Sequence, residues 1–207
     1  GDTTRPNDIR PGRPAKLLYD PSLVEGKMGQ AMVFDGENGV EAAGVGDFER
    51  TDPFTISFWM KPARWNPWNV LVHHTKAALD AGSRGYEIAL QGNQLVAGLA
   101  HMWPQNAIRV VTTDSLVLGA WTHVAAIYDG SSRAAGLTLY VNGEPAAVEV
   151  VRDNLFKNIR YERTEVGLTV GFRFRDAGFK DGLIDELAVY DRALTPIEAA
   201  QLAGIPA

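Results

Sequence analysis

Apolar and polar residues alternate along much of this chain with a period of two. From Phe54 to Lys61, the residues Phe54, Ile56, Phe58 and Met60 share one face, while Thr55, Ser57, Trp59 and Lys61 share the other. That period belongs to a strand with one face against a core. The first face is core. Trp59 on the second is open to two readings, since the outer face of a sandwich can also bind something. The same alternation runs through residues 122–128 and 137–141. The second of these ends in Asn142-Gly143, a pair that tolerates the positive φ angles of a type I′ turn, so the chain is expected to reverse into residues 144–151. Gly92-Asn93 is a second expected hairpin turn.

Short apolar segments between turn signals predict strands at 31–34, 40–42, 54–61, 70–73, 86–90, 94–101, 107–112, 122–128, 137–141, 146–151, 165–171 and 182–190. So many short strands with little helical pattern predict an all-β fold, a two-sheet antiparallel jelly-roll sandwich. One short C-terminal helix is expected. Thr195-Pro-Ile-Glu forms a capping box with proline at the first helical position, and Gly204 can end the helix. Residues 1–16 place Pro6, Pro11 and Pro14 among Arg5, Arg10 and Arg13 without a periodic face. They read as a linker or N-terminal extension before one domain at 17–207.

Composition narrows the function. Apolar residues make up 45% of the 207, enough for a sizeable core. The net charge is −5 with a pI near 5.4, and no basic stripe or phosphate-cradling motif points to nucleic acid. No run of about 18 apolar residues predicts a membrane span. Cysteine is absent, which removes disulfides, thiolate metal sites and cysteine nucleophiles. The opening Gly1-Asp-Thr-Thr-Arg-Pro reads as a cut boundary, which is compatible with a removed leader.

Several segments, in order, resemble the laminin-G-like, concanavalin-A-like jelly-roll family. They are Gly26-Lys-Met-Gly-Gln-Ala-Met-Val-Phe-Asp-Gly36, Pro53-Phe-Thr-Ile-Ser-Phe-Trp-Met-Lys-Pro62, Trp121-Thr-His-Val-Ala-Ala-Ile-Tyr-Asp129, Leu139-Tyr-Val-Asn-Gly143 and the run from Gly182 to Thr195. A narrower likeness rests on His101-Met-Trp-Pro-Gln-Asn-Ala-Ile-Arg109, Asp129-Gly-Ser-Ser-Arg-Ala-Ala-Gly-Leu137 and Arg152-Asp-Asn-Leu155. It resembles the module found inside large bacterial proteins with cytochrome-c-like domains, which are expected to be exported. The resemblance implies a carbohydrate- or protein-binding module, extracytoplasmic (periplasmic, cell-surface or secreted), often with one structural calcium. Asp35, in Phe-Asp-Gly, and Asp185, in Leu-Ile-Asp-Glu, would supply carboxylates to that ion if their strands are neighbours, against the alternative that Asp35 merely caps a turn.

Sugars pack C–H patches on aromatic rings and take their orientation from polar groups. The candidate contacts are Trp65 in the loop to Trp68, His73, Tyr86, His101, Trp103, Arg109 and Arg173. Arg109, Arg173 and Arg175 suit acidic or sulfated sugars through their planar forks. Against this, Trp59 and Trp121 sit inside alternating strands, and Trp65 and Trp68 can simply pin a loop. His73 and His74 are adjacent and point to opposite strand faces, so they cannot chelate one ion together.

Catalysis is not expected. Related glucanases carry paired carboxylates in the pattern Glu-x-Asp-x-x-Glu, and retention needs both a nucleophile and an acid/base. Around Asp185 the flanking positions are Leu183 and Ala188. No Gly-x-Ser-x-Gly elbow is present. The expected partner is thus a polysaccharide, or the neighbouring domains of a parent protein if the module is architectural. A glycoside hydrolase is the remaining, minor alternative.

Overall fold

The computed structural model describes residues 4–5, 15–76, 83–161, 166–175 and 177–206. Its elements are β1 (Thr4–Arg5), β2 (Ala15–Leu18), β3 (Leu23–Glu25), β4 (Gln30–Asp35), β5 (Gly39–Ala42), β6 (Phe54–Pro62), β7 (Asn69–Thr75), β8 (Gly85–Gln91), β9 (Gln94–Met102), β10 (Asn106–Thr112), β11 (Thr122–Tyr128), β12 (Leu137–Val141), β13 (Glu144–Pro145), β14 (Val148–Asn154), β15 (Leu168–Val170), β16 (Lys180–Tyr190) and the helix α1 (Pro196–Leu202). Two antiparallel sheets face each other. One runs β1-β2-β5-β15-β7-β8-β9-β10-β14 and the other β13-β12-β11-β6-β16-β4-β3.

The core lies between them. The seven-stranded sheet contributes Ile56, Phe58, Val124 and Leu139, and the nine-stranded sheet Leu71, Ile88, Leu99 and Ile108, each at most 2% exposed. Burying side chains of this size stabilises by about 1.5–3 kcal/mol each before entropy is counted. The alternation of β6 therefore does what its sequence demands. Trp59 lies on the opposite, outer face, half-buried, with Lys27 Nζ 4.4 Å from its ring centroid and the His123 ring edge-on at 5.3 Å.

The Asn142-Gly143 turn forms as its sequence requires, with φ of 51° and 85°. The returning strand, however, is shorter than the expected 144–151. Only Glu144 and Pro145 pair back onto β12. The chain then crosses to the other sheet, where β14 pairs with β10 at the edge. Ala146 N still donates to Leu139 O at 2.8 Å, and the pairing with β12 ends there. The helix has its capping box: Thr195 accepts from Glu198 N, and Glu198 accepts from Thr195 N at 2.8 Å. It covers the outer face of the seven-stranded sheet, where Leu194 and Ala199 pack on Ala125, Ile127 and Tyr140.

Most of the expected N-terminal extension lies outside the described residues. Its described parts join the fold, since Thr4 and Arg5 pair with Lys16 and Ala15.

Candidate functional site

The candidate site grows from the outer face of the nine-stranded sheet. Val72 pairs with Ile88 in the core, so the next residues, His73 and Glu87, point outward as a cross-strand pair. Thr75 and Thr169 share that face, because Thr169 pairs with His73. This face is closed to solvent at its centre: His73, Thr75, Glu87 and Thr169 are all under 9% exposed. Polar groups so buried need partners, and the side chains that cover the face supply them.

Arg109 provides one cover. Its guanidinium lies 3.5 Å from the centroid of the Trp103 ring and 5.0 Å from that of Trp68, and it donates to Glu87 Oε1 at 2.7 Å. Gly98 makes room beneath it: a Cβ there would stand 3.3 Å from Arg109 Cβ and 2.9 Å from Ile108 O. Burial lowers the Arg109 pKa, and Glu87 opposes the shift. The space left beside Gly98, Ala100 and Trp103 is about 10 Å³, room for roughly one water molecule. Arg109, Trp103, Trp68 and Glu87 thus fill their own slot, although Arg109 Nε is buried there without a hydrogen-bond partner among the described residues.

Arg173 provides the other cover. It follows β15, and on either side of it the chain is tied to β7 by Gly171 N to Leu71 O and Val70 N to Ala177 O, each 2.8 Å. Arg173 Nη1 donates to Thr75 Oγ1 at 2.9 Å. Thr75 Oγ1 lies 3.0 Å from His73 Nδ1, and His73 Nε2 lies 3.1 Å from Phe172 O. Donor and acceptor roles follow in order. Arginine only donates, so the single Thr75 hydroxyl proton goes to His73 Nδ1. His73 must then carry its proton on Nε2 and donate it to the Phe172 carbonyl. Burial, and then the Arg173 charge, lower the His73 pKa to about 3, so this neutral tautomer is the working form.

Beyond Arg173 the surface opens into a cavity of about 500 Å³ lined by Tyr19, Asp35, Gly36, Glu37, Phe172, Arg173, Phe174 and Arg175. Tyr19 and Phe172 are in ring contact, with centroids 5.6 Å apart, and Tyr19 and Phe174 are 76% and 46% exposed. Tyr19 and Arg175 both take positive φ, 54° and 63°, which turns their side chains out of the strand direction.

The sequence-derived candidates separate accordingly. Arg173 lines the open cavity, and His73 supports it from below. Trp103 and Arg109 stand together at the closed slot. Trp65 packs half-buried against the core, and its loop is held by Gly92 N to Asn66 O at 3.1 Å. Tyr86 belongs to the core, 3% exposed, stacked on His74 and donating to Gly46 O at 2.7 Å. Its place two residues before Ile88 already sets it on that face. His101 donates from Nδ1 to Asn158 O at 2.6 Å and accepts from Arg84 at Nε2, and it lines neither hollow. Sequence reasoning passed over Tyr19, Phe172, Phe174, Glu37, Glu87 and Thr75. The visible signal was Phe172-Arg-Phe-Arg175, in which aromatic and cationic residues alternate.

The strands of Asp35 and Asp185 are neighbours, as the calcium expectation required, but their register parts the two carboxylates. Asp35 pairs with Lys180 and Ile184 pairs with Met32, which sets Asp35 and Asp185 roughly 15 Å apart along the strands. Each is also engaged. Asp35 Oδ1 accepts from Glu37 N and Asn38 N, capping the turn, while Asp185 accepts from Met28 N and Glu186 N, all at 2.9 Å. These two residues do not fit a shared ion. Among the described residues no group of three or more histidine or carboxylate side chains is placed to hold one.

Residues 34–200 match the family model of the concanavalin A-like lectin/glucanases superfamily. The chain belongs to this family. Over 191 residues, 88% of its length, it is 26% identical to botulinum neurotoxin type X from Clostridium botulinum, and spans only 14% of that toxin. Among solved structures, it resembles domain 4 of the extracellular arabinanase AbnA from Geobacillus stearothermophilus, in complex with arabinotriose. The TM-score is 0.64 and the identity 22%, covering 92% of this chain and 88% of that one. It also resembles the binding domain of Paraclostridial Mosquitocidal Protein 1, with a TM-score of 0.67 and 17% identity, covering 97% of this chain and 50% of that one. At these identities the likeness to the solved structures establishes the fold alone.

Proposed function

We propose that this chain is a non-catalytic carbohydrate-binding module of a larger exported protein, with the glycan seated in the cavity between Tyr19, Phe172 and Phe174. One observation carries the reading: an open space of about 500 Å³ rimmed by aromatic rings and two arginines. That volume is within the roughly 300–1,000 Å³ typical of ligand sites. Exposed rings cost solvation and suit the C–H faces of a sugar, while Arg173, Arg175 and Glu37 provide hydrogen-bonding edges. The family and the arabinotriose-bound structural relative support a sugar ligand. The closed Trp103–Arg109 slot does not serve, because it has room for about one water.

A hydrolase is disfavoured. Among the described residues no pair of free carboxylates faces the cavity, since Asp35 caps its own turn. The Ser57–His123 hydrogen bond, 2.8 Å, is buried to 1% exposure on each side and is closed to substrate.

A second reading has its own support. The edge strand β14 carries exposed Val150 and Val151, with exposed Met102 and Phe156 in the segments beside it. Exposed apolar residues set among the charged Glu149, Arg152 and Asp153 on an open sheet edge suit docking to a neighbouring domain. A glycan array on the isolated chain separates the two: binding that Tyr19→Ala abolishes supports the module as a lectin, and silence across the array supports the architectural role.

A further inference from the structure

The two partly buried arginines of the site are not in the same electrostatic state. Arg109 has its counter-ion, the Glu87 carboxylate at 2.7 Å, with side chains only 15% and 9% exposed. Among the described residues Arg173 has none. Among the described residues Glu87 is the carboxylate whose field reaches Arg173, yet it is bonded to Arg109. Among the described residues the single hydrogen bond of Arg173 is from Nη1 to Thr75. Its Nε–H and Nη2 groups have no partner there. Withdrawing a cation from water without a counter-ion is costly, and an arriving anion relieves that cost.

The geometry also states what shape of anion fits. With Nη1 tied to Thr75, the guanidinium edge left free is Nε with Nη2, two parallel N–H groups in one plane. That edge matches the two oxygens of a carboxylate. The Thr75–His73–Phe172 chain holds it in place. Thr75 fixes the guanidinium, and His73 ties the Phe172 carbonyl to the same strand, so ring and fork keep a set relation. The Phe172 ring, in contact with Tyr19, lies beside Arg173 along the cavity wall.

We propose that the cavity binds a carboxylate-bearing sugar, a hexuronate unit of an acidic polysaccharide, with the carboxylate on the Nε–Nη2 edge of Arg173 and the sugar's C–H face on Phe172 and Tyr19. Thr75 and His73 are positioning residues for that contact. The inference rests on the glycan reading above and narrows it. The protein's net charge of −5 makes indiscriminate attraction of polyanions a poor alternative.

The test is calorimetric titration with trisaccharides of galacturonate, mannuronate and glucuronate, with their methyl esters, with a sulfated dextran oligosaccharide and with neutral arabinotriose. At least one uronate should bind, and its methyl ester, which keeps the skeleton and loses the charge, should bind at least tenfold more weakly. R173Q should cost a similar factor. R173K, which keeps the charge but not the paired donors, should fall between R173Q and the parent. Arg133→Gln, exposed beside β14 at the far edge of the sheet, should change nothing. Circular dichroism melts confirm that each variant is folded. Ester and acid binding alike, or a preference for sulfate, overturns the uronate assignment and leaves the glycan reading in place. No binding to any sugar overturns both.

Discussion

Thr75 Oγ1 accepts a hydrogen bond from Arg173 Nη1 at 2.9 Å although the two residues are 98 positions apart in the chain. Through it, β7 holds the segment that shapes the open cavity. Replacing the hydroxyl by a methyl group of similar size, in Thr75→Val, removes both this acceptor and the donor to His73 Nδ1. The variant should lose roughly 1–2 kcal/mol in urea denaturation, the usual cost of a buried hydrogen bond and its orphaned partner. Sugar binding should weaken several-fold, because Arg173 is no longer held. Unchanged binding in a folded Thr75→Val protein would show that Arg173 needs no such support.

Buried histidines make stability depend on acid. His73 is held at a pKa of about 3 and His123 at about 4, both chiefly by burial, against the usual 6.5. The unfolded chain takes up protons near pH 6.5 that the folded chain refuses, so stability falls as pH drops below 6.5. The loss continues to about pH 4 for His123 and about pH 3 for His73, with a limiting slope of about 1.4 kcal/mol per pH unit for each. Above pH 7 neither contributes. Urea midpoints between pH 7 and 4 should fall accordingly, less steeply in His73→Gln. Identical slopes in the two proteins would show that His73 is not a source of the acid sensitivity.

The sandwich itself was legible because alternation reports which way each side chain points. Phe54 to Met60, residues 122–128 and the Asn142-Gly143 turn all lie where their pattern puts them. The same logic covers the misplaced Tyr86, whose spacing from Ile88 sets it in the core. Alternation does not say which sheet a strand joins, so the crossing of the chain from β13 to β14 could not be read. Nor does it show which residues 98 positions apart will meet. Arg173 was visible as a candidate from its neighbours, but its bond to Thr75 and the missing counter-ion are products of tertiary structure. Tyr19 was hidden for another reason: a positive φ at a non-glycine residue leaves no mark in the sequence.

The Glu87–Arg109 pair should behave as a structural element. Glu87→Gln leaves the Arg109 guanidinium buried against Trp103 without a counter-ion, and should destabilise the fold by roughly 3 kcal/mol. Substituting both, as Glu87→Gln with Arg109→Met, should recover much of that loss, since no unpaired charge remains. A double-mutant cycle in urea measures the coupling. Additive losses would mean the two side chains are independent despite their 2.7 Å contact.

Tyr19 and Phe174 are exposed rings with little part in the core, so Tyr19→Ala and Phe174→Ala should each change stability by no more than about 0.5 kcal/mol. Each should still weaken sugar binding at least threefold, as loss of a stacking face does. Separating the two effects requires a melt and a titration on the same samples. A large fall in melting temperature would reassign the rings to structure.

Nitrogen-15 NMR of the labelled protein, titrated with the oligosaccharide that binds best, is the decisive measurement for the location of the sugar. Amide shifts should concentrate at Tyr19, Gly36 and Phe172 to Arg175, with the Trp103–Arg109 slot left still. Shifts centred on Trp103 and Arg109, or along the β14 edge, would contradict a glycan seated between Tyr19, Phe172 and Phe174.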